Sequence, residues 1–244
     1  MTRSRLTAEL EQMAAEGAGP EAAACSSAPR TCRPVRHPDS TRAMILEAAI
    51  QEFAAKGLAG ARVDAIALRS KTNKRMLYHF FGDKSGLYIA VLEAVVTHVT
   101  SSMRGLNLAN RDPVDGIRAL VLHNWHYLLA HPEFVSLLAG ENLLKGEYSK
   151  RSNMISSLHG PVFAKIENLL QRGAAQGVFR EGISPTTVYM TYAGLGFFYI
   201  SNRHTVETNL NPDVWTCGSI EAWGEHIVAV TLAFLRTGAT SPSV

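Results

Sequence analysis

At 244 residues, with 46% hydrophobic and 18% charged content, the chain has room for one large domain or two smaller ones around a sizeable core. It carries no run of about 18 uninterrupted apolar residues and no apolar segment near its start to act as a secretory signal. Its three cysteines, Cys25, Cys32 and Cys217, are too few for a disulfide framework, so a reducing, cytoplasmic setting is expected, with no membrane.

The net charge of +3 is unevenly placed. Arg30 to Lys84 holds eleven Lys or Arg against five Asp or Glu, a net of +6 that leaves −3 for the rest. A basic segment joined to a mildly acidic remainder suits a polyanion partner at one end only. Residues 1–38 show little helical periodicity beyond "LTAELEQMAAEGA" and read as a flexible leader, basic at Arg30, Arg33, Arg36 and His37.

From there the segments have helical punctuation. Asp39 or Ser40 is expected to cap "TRAMILEAAIQEFAAKG", whose Ile45, Ala49 and Phe53 make one apolar stripe and whose Gly57 stops it. "VDAIALRS" and "NKRMLYHFF" follow as two short helices separated by a turn at Lys71 and Thr72, the layout of a helix-turn-helix. "DKSGLYIAVLEAVVTHVTSSM" repeats an apolar face at Leu87, Val91, Val95 and Val99, and Asp112-Pro113 opens "VDGIRALVLHNWHYLLAH". Pro132 separates this from "EFVSLLAGENLLKG", and Pro161 should start or kink a helix. Ser184-Pro185 opens "TTVYMTYAGLGFFYISN", "RHTVETNLNPDVWTCG" reads as a loop, and "SIEAWGEHIVAVTLAFLRTG" closes the fold. "GVFREGI" is the one strand-like piece, equally explained as a tight connection. The expected fold is all-α with about nine helices. It divides into the leader (1–38), a helix-turn-helix DNA-binding head (39–84), a longer helical domain (85–239) and a tail (240–244).

In a helix-turn-helix the second helix lies in the major groove and its first residues meet base edges. Asn73 stands at the cap, where it either closes the first turn or reaches an adenine. Lys74, Arg75 and Met76 form the first turn, with Arg75 suited to guanine and Met76 to a thymine methyl. Tyr78 and His79 are placed for phosphates, as are Arg62, Thr72 and Lys84 at neighbouring helix starts. Leu77 and Phe80 or Phe81 fall on the other side and should pack against Ile45, Phe53 and Ile66.

No catalytic constellation is evident, so an enzyme is not expected and no cofactor is implied. His123, His126 and His131, with Glu133 and Glu141 nearby, are the best metal candidates, but no ligating motif supports them and no metal is expected. A pocket for a small molecule is expected around Trp125, Phe134, Leu138 and Phe163, with polar tips at His126, Asn142 and His159, although plain core has the same pattern.

"ILEAAIQEFAAKGLAGARVDAIALRSKTNKRMLYHFFGDKSGLYIAVLEAV" closely resembles the DNA-binding head of TetR-type transcriptional regulators. The resemblance rests on Ala48, Ala49, Phe53, Gly57, Ile66, Ala67, Leu77, Tyr78, Phe81 and Lys84. It implies a homodimer with an all-α effector-binding domain, whose last two long helices make the dimer bundle. Gly194 and Gly196 then suit close helix approach, and Tyr192, Gly194, Gly196, Phe197, Ile227, Val230 and Phe234 are the expected interface, unless they serve ordinary packing within the chain. Two positions depart from the family pattern: Ser70-Lys71 replaces the usual Ala-Gly turn, and Arg62 replaces a hydroxyl residue. The function expected is a dimeric repressor on a near-palindromic operator of double-stranded DNA, released by a small-molecule effector. The rival readings are a helical small-molecule-binding enzyme or carrier, and an architectural DNA-binding protein with no effector.

Overall fold

Local punctuation sets most helix ends in the computed structural model, which describes residues 38–158 and 160–236. The basic leader, Cys25 and Cys32, His159 and the tail lie outside the described residues. Helix α1 (Pro38–Gly60) begins just before Asp39 and Ser40 and is interrupted where expected, at Gly57 with φ 65°. Helices α2 (Val63–Arg69) and α3 (Lys74–Phe81) follow, joined by a turn in which Lys71 adopts φ 53°. That left-handed conformation crowds a side chain against the backbone and costs about 1–2 kcal/mol. Asp83 caps α4 (Lys84–Gly105), its carboxylate accepting from the Gly86 N–H at 2.7 Å. Asp112 caps α5 (Pro113–Ala130) in the same way, and α6 (Pro132–Leu143) starts directly behind it.

A 3-10 turn (Ser149–Arg151) leads to the short α7 (Asn153–Leu158) and then to α8 (Gly160–Ala175), with Pro161 in its first turn rather than at a kink. Helices α9 (Pro185–Ser201), α10 (Arg203–Asn209) and α11 (Cys217–Leu235) complete the fold. Helix α10 corrects the sequence reading, which had it as loop. Its Arg203–Glu207 pair at 3.5 Å is exposed enough to contribute little, and the helix lacks the apolar stripe that reveals α-periodicity. The strand-like piece forms only an isolated antiparallel bridge, Phe179 to Arg236, and the described residues contain no strand.

Two apolar cores organise these helices. The head core joins Ile45, Phe53, Ile66 and Leu77 to Leu87, Tyr88, Val91 and Val95 of α4 and to Leu137 of α6. The body core gathers α5, α8, α9 and α11 around Trp125, Ile166, Leu169, Tyr192 and Ile227. Trp125 lies against Gly224, where a Cβ would stand 2.6 Å from its ring, so α5 and α11 can meet only because that side chain is absent. Helix α4 is long and apolar enough to cross a membrane by length and composition, but its first half belongs to the head core and its second half reaches the body core through Met103.

Candidate nucleic-acid interface and ligand cavity

Helix α3 has two unlike sides. Leu77 is buried, and Phe80, Phe81 and Met76 pack around it against the head core. Lys74, Arg75, Tyr78 and His79 face solvent, Tyr78 at 47% exposure. Arg42 of α1 lies 5.2 Å from the Phe81 ring and closes the inner side.

The outward side chains are not equivalent. Asn73 resolves its two options as a cap, its Oδ1 accepting from the Met76 N–H at 3.0 Å, which leaves its NH2 to donate. Lys74 is paired with Asp64 at 2.7 Å, and that hydrogen bond raises its pKa above the usual lysine value. Arg75 is exposed and makes no ion pair or hydrogen bond among the described residues. Met76 is half-buried and packs beside Leu77 on the anchoring side. The Thr72 hydroxyl is 2.8 Å from the buried Ser70 hydroxyl, which itself donates to the Ile66 carbonyl, so Thr72 is held by the turn instead of standing free. Arg62 has an exposed side chain and caps nothing with it, while Lys84 donates to the Ala59 carbonyl at 3.3 Å.

Glu52, which the sequence reading missed, fixes this arrangement from below. It is 1% exposed, receives Lys56 at 2.8 Å and the Arg62 N–H at 3.2 Å, and has Arg69 at 3.9 Å. The Lys56 hydrogen bond leads the causes that hold its carboxyl below the ordinary glutamate value. A charged residue inside the apolar stripe of α1 was the available clue.

A cavity of about 340 Å³ lies between α4, α5, α6 and α9. Of the residues expected to line a pocket, Phe134, Leu138 and Asn142 do. Trp125 does not: it is 1% exposed in the body core, edge-on to Tyr199 at 5.4 Å. His126 is exposed outside the cavity, and Phe163 packs on Tyr189 at 5.4 Å without lining it. The missed walls are Val96, Val99, Thr100 and Met103 of α4, Asn124 and Leu128 of α5, Val162 of α8, and Tyr189, Met190 and Ala193 of α9. Asn124 carried a signal, since it interrupts the apolar run Leu120, Val121, Trp125, Leu128.

The expected interface residues need a similar correction. Gly194 and Phe197 line the cavity, and Gly196 admits Leu128 of α5, 3.0 Å from where its Cβ would stand. Tyr192 and Ile227 are buried in the body core, while Phe234 lies beneath the Arg180 guanidinium at 4.9 Å and Val230 is half-buried. Of the positions chosen from the sequence, Tyr192, Gly196 and Ile227 are covered by their own chain, whereas Gly194 is exposed and Phe197, Val230 and Phe234 are half-buried. The exposed stripe of α11 is instead Ala222, His226, Ala229 and Ala233.

The metal candidates are dispersed. His123 faces Ser102 at 3.2 Å, His126 faces solvent, His131 bonds Glu133 at 2.9 Å, and the Glu141 carboxylate accepts from Tyr148 and Ser149. Among the described residues no three potential ligands come together.

Comparison with known proteins places these features in context. Residues 45–91 match the model for bacterial regulatory proteins of the tetR family, and residues 113–230 match that for a tetracyclin repressor-like C-terminal domain. The chain is 36% identical over 198 residues to the HTH-type transcriptional repressor NicS of Pseudomonas putida, covering 81% of this chain and 93% of that one. It is 32% identical to the HTH-type transcriptional repressor SCO4008 of Streptomyces coelicolor, covering 65% and 78%. The crystal structure of the transcriptional regulator SCO4942 from Streptomyces coelicolor shares the fold, with a TM-score of 0.58 and 22% identity over 80% of this chain and 98% of that one.

Proposed function

The chain belongs to the TetR family of bacterial regulatory proteins, and from that premise we propose that it is a dimeric, ligand-released repressor acting on a near-palindromic operator in the cytoplasm. Residues 39–84 are the DNA-binding head and residues 85–239 the sensing and pairing domain. Two copies of α3 enter successive major grooves about 34 Å apart. Arg75 reads a base, the Asn73 amide donates nearby, and Tyr78, His79 and Arg62 hold phosphates. Phosphate contacts provide much of the affinity, which makes it steeply salt-dependent. The outer stripe of α11, with the exposed Phe198 of α9, is the pairing face.

Release follows from α4 and α6, which belong to both regions. Val91 and Val95 of α4 and Leu137 of α6 are in the head core, whereas Val99 and Met103, and Leu138 and Asn142, line the cavity. A ligand that spreads those walls shifts the head with them. A coupling of about 1–3 kcal/mol would lower operator affinity some 5–150-fold.

The observation that carries this reading is the two-sidedness of α3, with Leu77 anchored and Arg75 and Tyr78 outward. Selection of bound sites from random duplexes tests it. A two-fold symmetric motif with half-sites about one helical turn, or a multiple of it, apart is the expected result; uniform binding to all sequences, or none, would refute it.

A further inference from the structure

The cavity has a chemistry of its own, and the inference drawn from it rests on the effector reading above. Its walls carry no Asp, Glu, Lys, Arg or His. An ion placed there would lose its water and gain no counter-charge, so charged ligands are disfavoured. The polar groups are few and unevenly placed. Asn124 is only 6% exposed, lines the cavity, and makes no hydrogen bond with its side chain to any described residue. A buried amide left this way is uncommon, because folding ordinarily supplies a partner. Thr100, 2% exposed, spends its hydroxyl proton on the Val96 carbonyl at 2.8 Å. Asn142, near the mouth, donates one N–H of its NH2 to the Leu138 carbonyl at 2.9 Å and keeps the other. Apart from the Tyr189 phenol, the cavity therefore offers amide donors on Asn124 and, through its second N–H, on Asn142, and acceptor oxygens on Asn124, Thr100 and Asn142.

We propose that this cavity takes an uncharged, largely apolar molecule bearing an amide-type group (a carboxamide, lactam or urea), whose C=O and N–H pair with the Asn124 side chain. The deep end is set by the buried Asn124 and Thr100, and the mouth by the exposed Leu138, Asn142 and Met190. The ligand enters amide first and leaves its apolar body between Val99, Phe134 and Phe197. A cavity of 340 Å³ stands at the small end of ordinary ligand sites, which run from about 300 to 1,000 Å³.

The test uses the full chain and probes on one skeleton: 2-naphthamide, 2-naphthoate, 2-naphthylmethylammonium and 2-methylnaphthalene, titrated calorimetrically at neutral pH. The amide should bind about tenfold or more tighter than either ion, the size of one well-made buried hydrogen bond. Asn124→Leu should weaken the amide about tenfold or more while 2-methylnaphthalene binds as before. Met190→Trp, at an exposed position, should block all four probes and serves if Asn124→Leu does not fold. Tighter binding of either ion, amide affinity unchanged in Asn124→Leu, binding unaffected by Met190→Trp, or no binding of the amide to folded protein would each overturn the proposal. Amide binding through Asn124 that leaves operator affinity unchanged would uphold it and defeat the effector reading instead.

Discussion

Arg75 and Asn124 are both polar side chains without a partner among the described residues, one in solvent on α3 and the other buried in α5. In the head, the unpaired group stands on a convex surface whose underside is filled by Leu77 and Phe80. In the body, the helices enclose the unpaired group and leave space beside it. The head is thus built to present chemistry to something larger than itself, the body to surround something smaller. Each leaves a hydrogen-bonding capacity open where its partner arrives, and α4 and α6 tie the two together.

The largest effect expected separates stability from recognition. Leu169 is fully buried in the body core, its side chain over Gly116. Leu169→Ala should cost about 2–5 kcal/mol in chemical denaturation, with the folded fraction still binding operator at unchanged affinity. A selective loss of operator affinity would mean that the two regions do not divide the work as described.

A smaller effect is expected beneath the head. Glu52→Gln should cost about 1.5–3 kcal/mol, the range for hydrogen bonds to charged groups. Because its partners lower the Glu52 pKa in the folded state, its contribution is full above the ordinary glutamate value of 4.5 and is lost as pH falls through the lowered one. Acid titration of stability should therefore be shallower in Glu52→Gln. An equal slope would remove Glu52 from its supporting role.

The smallest effect concerns Asp64, which holds Lys74 at the first turn of α3. Asp64→Asn frees that ammonium for phosphate, so operator affinity should rise a few-fold and the log–log salt slope steepen by about 0.9. Non-specific duplex should gain as much, since phosphate carries no sequence. An unchanged slope would show that Lys74 is already on the backbone in the complex.

The sequence makes local features legible and tertiary ones only in part. Asn73 and Asp112 are legible as caps because a cap and its N–H lie within three residues of each other. The inner side of α3 is equally plain, since Leu77 and Phe80 have no other place to go. Lys71 stands where the family pattern has glycine, and that departure marks the position that adopts φ 53°. The cavity differs in kind. Phe134, Leu138 and Asn142 share one helix and could be guessed, but which side of α4 or α9 joins them depends on how four helices cross. Trp125, large and aromatic, looked like a ligand platform, yet the glycine that receives it, Gly224, lies far along the chain. Tyr192 and Ile227 were misplaced for the same reason: apolar character marks a residue for burial but does not say whether its own chain or a second copy buries it.

The most direct test of the account is the operator affinity of Arg75→Ala, measured across salt concentrations on the selected site and on variants at each half-site position. The account predicts a loss of about 1–3 kcal/mol, roughly 5–150-fold, with discrimination relaxed at one base position in each half-site. Unchanged affinity and unchanged base preference would contradict it, because Arg75 would then not be reading DNA.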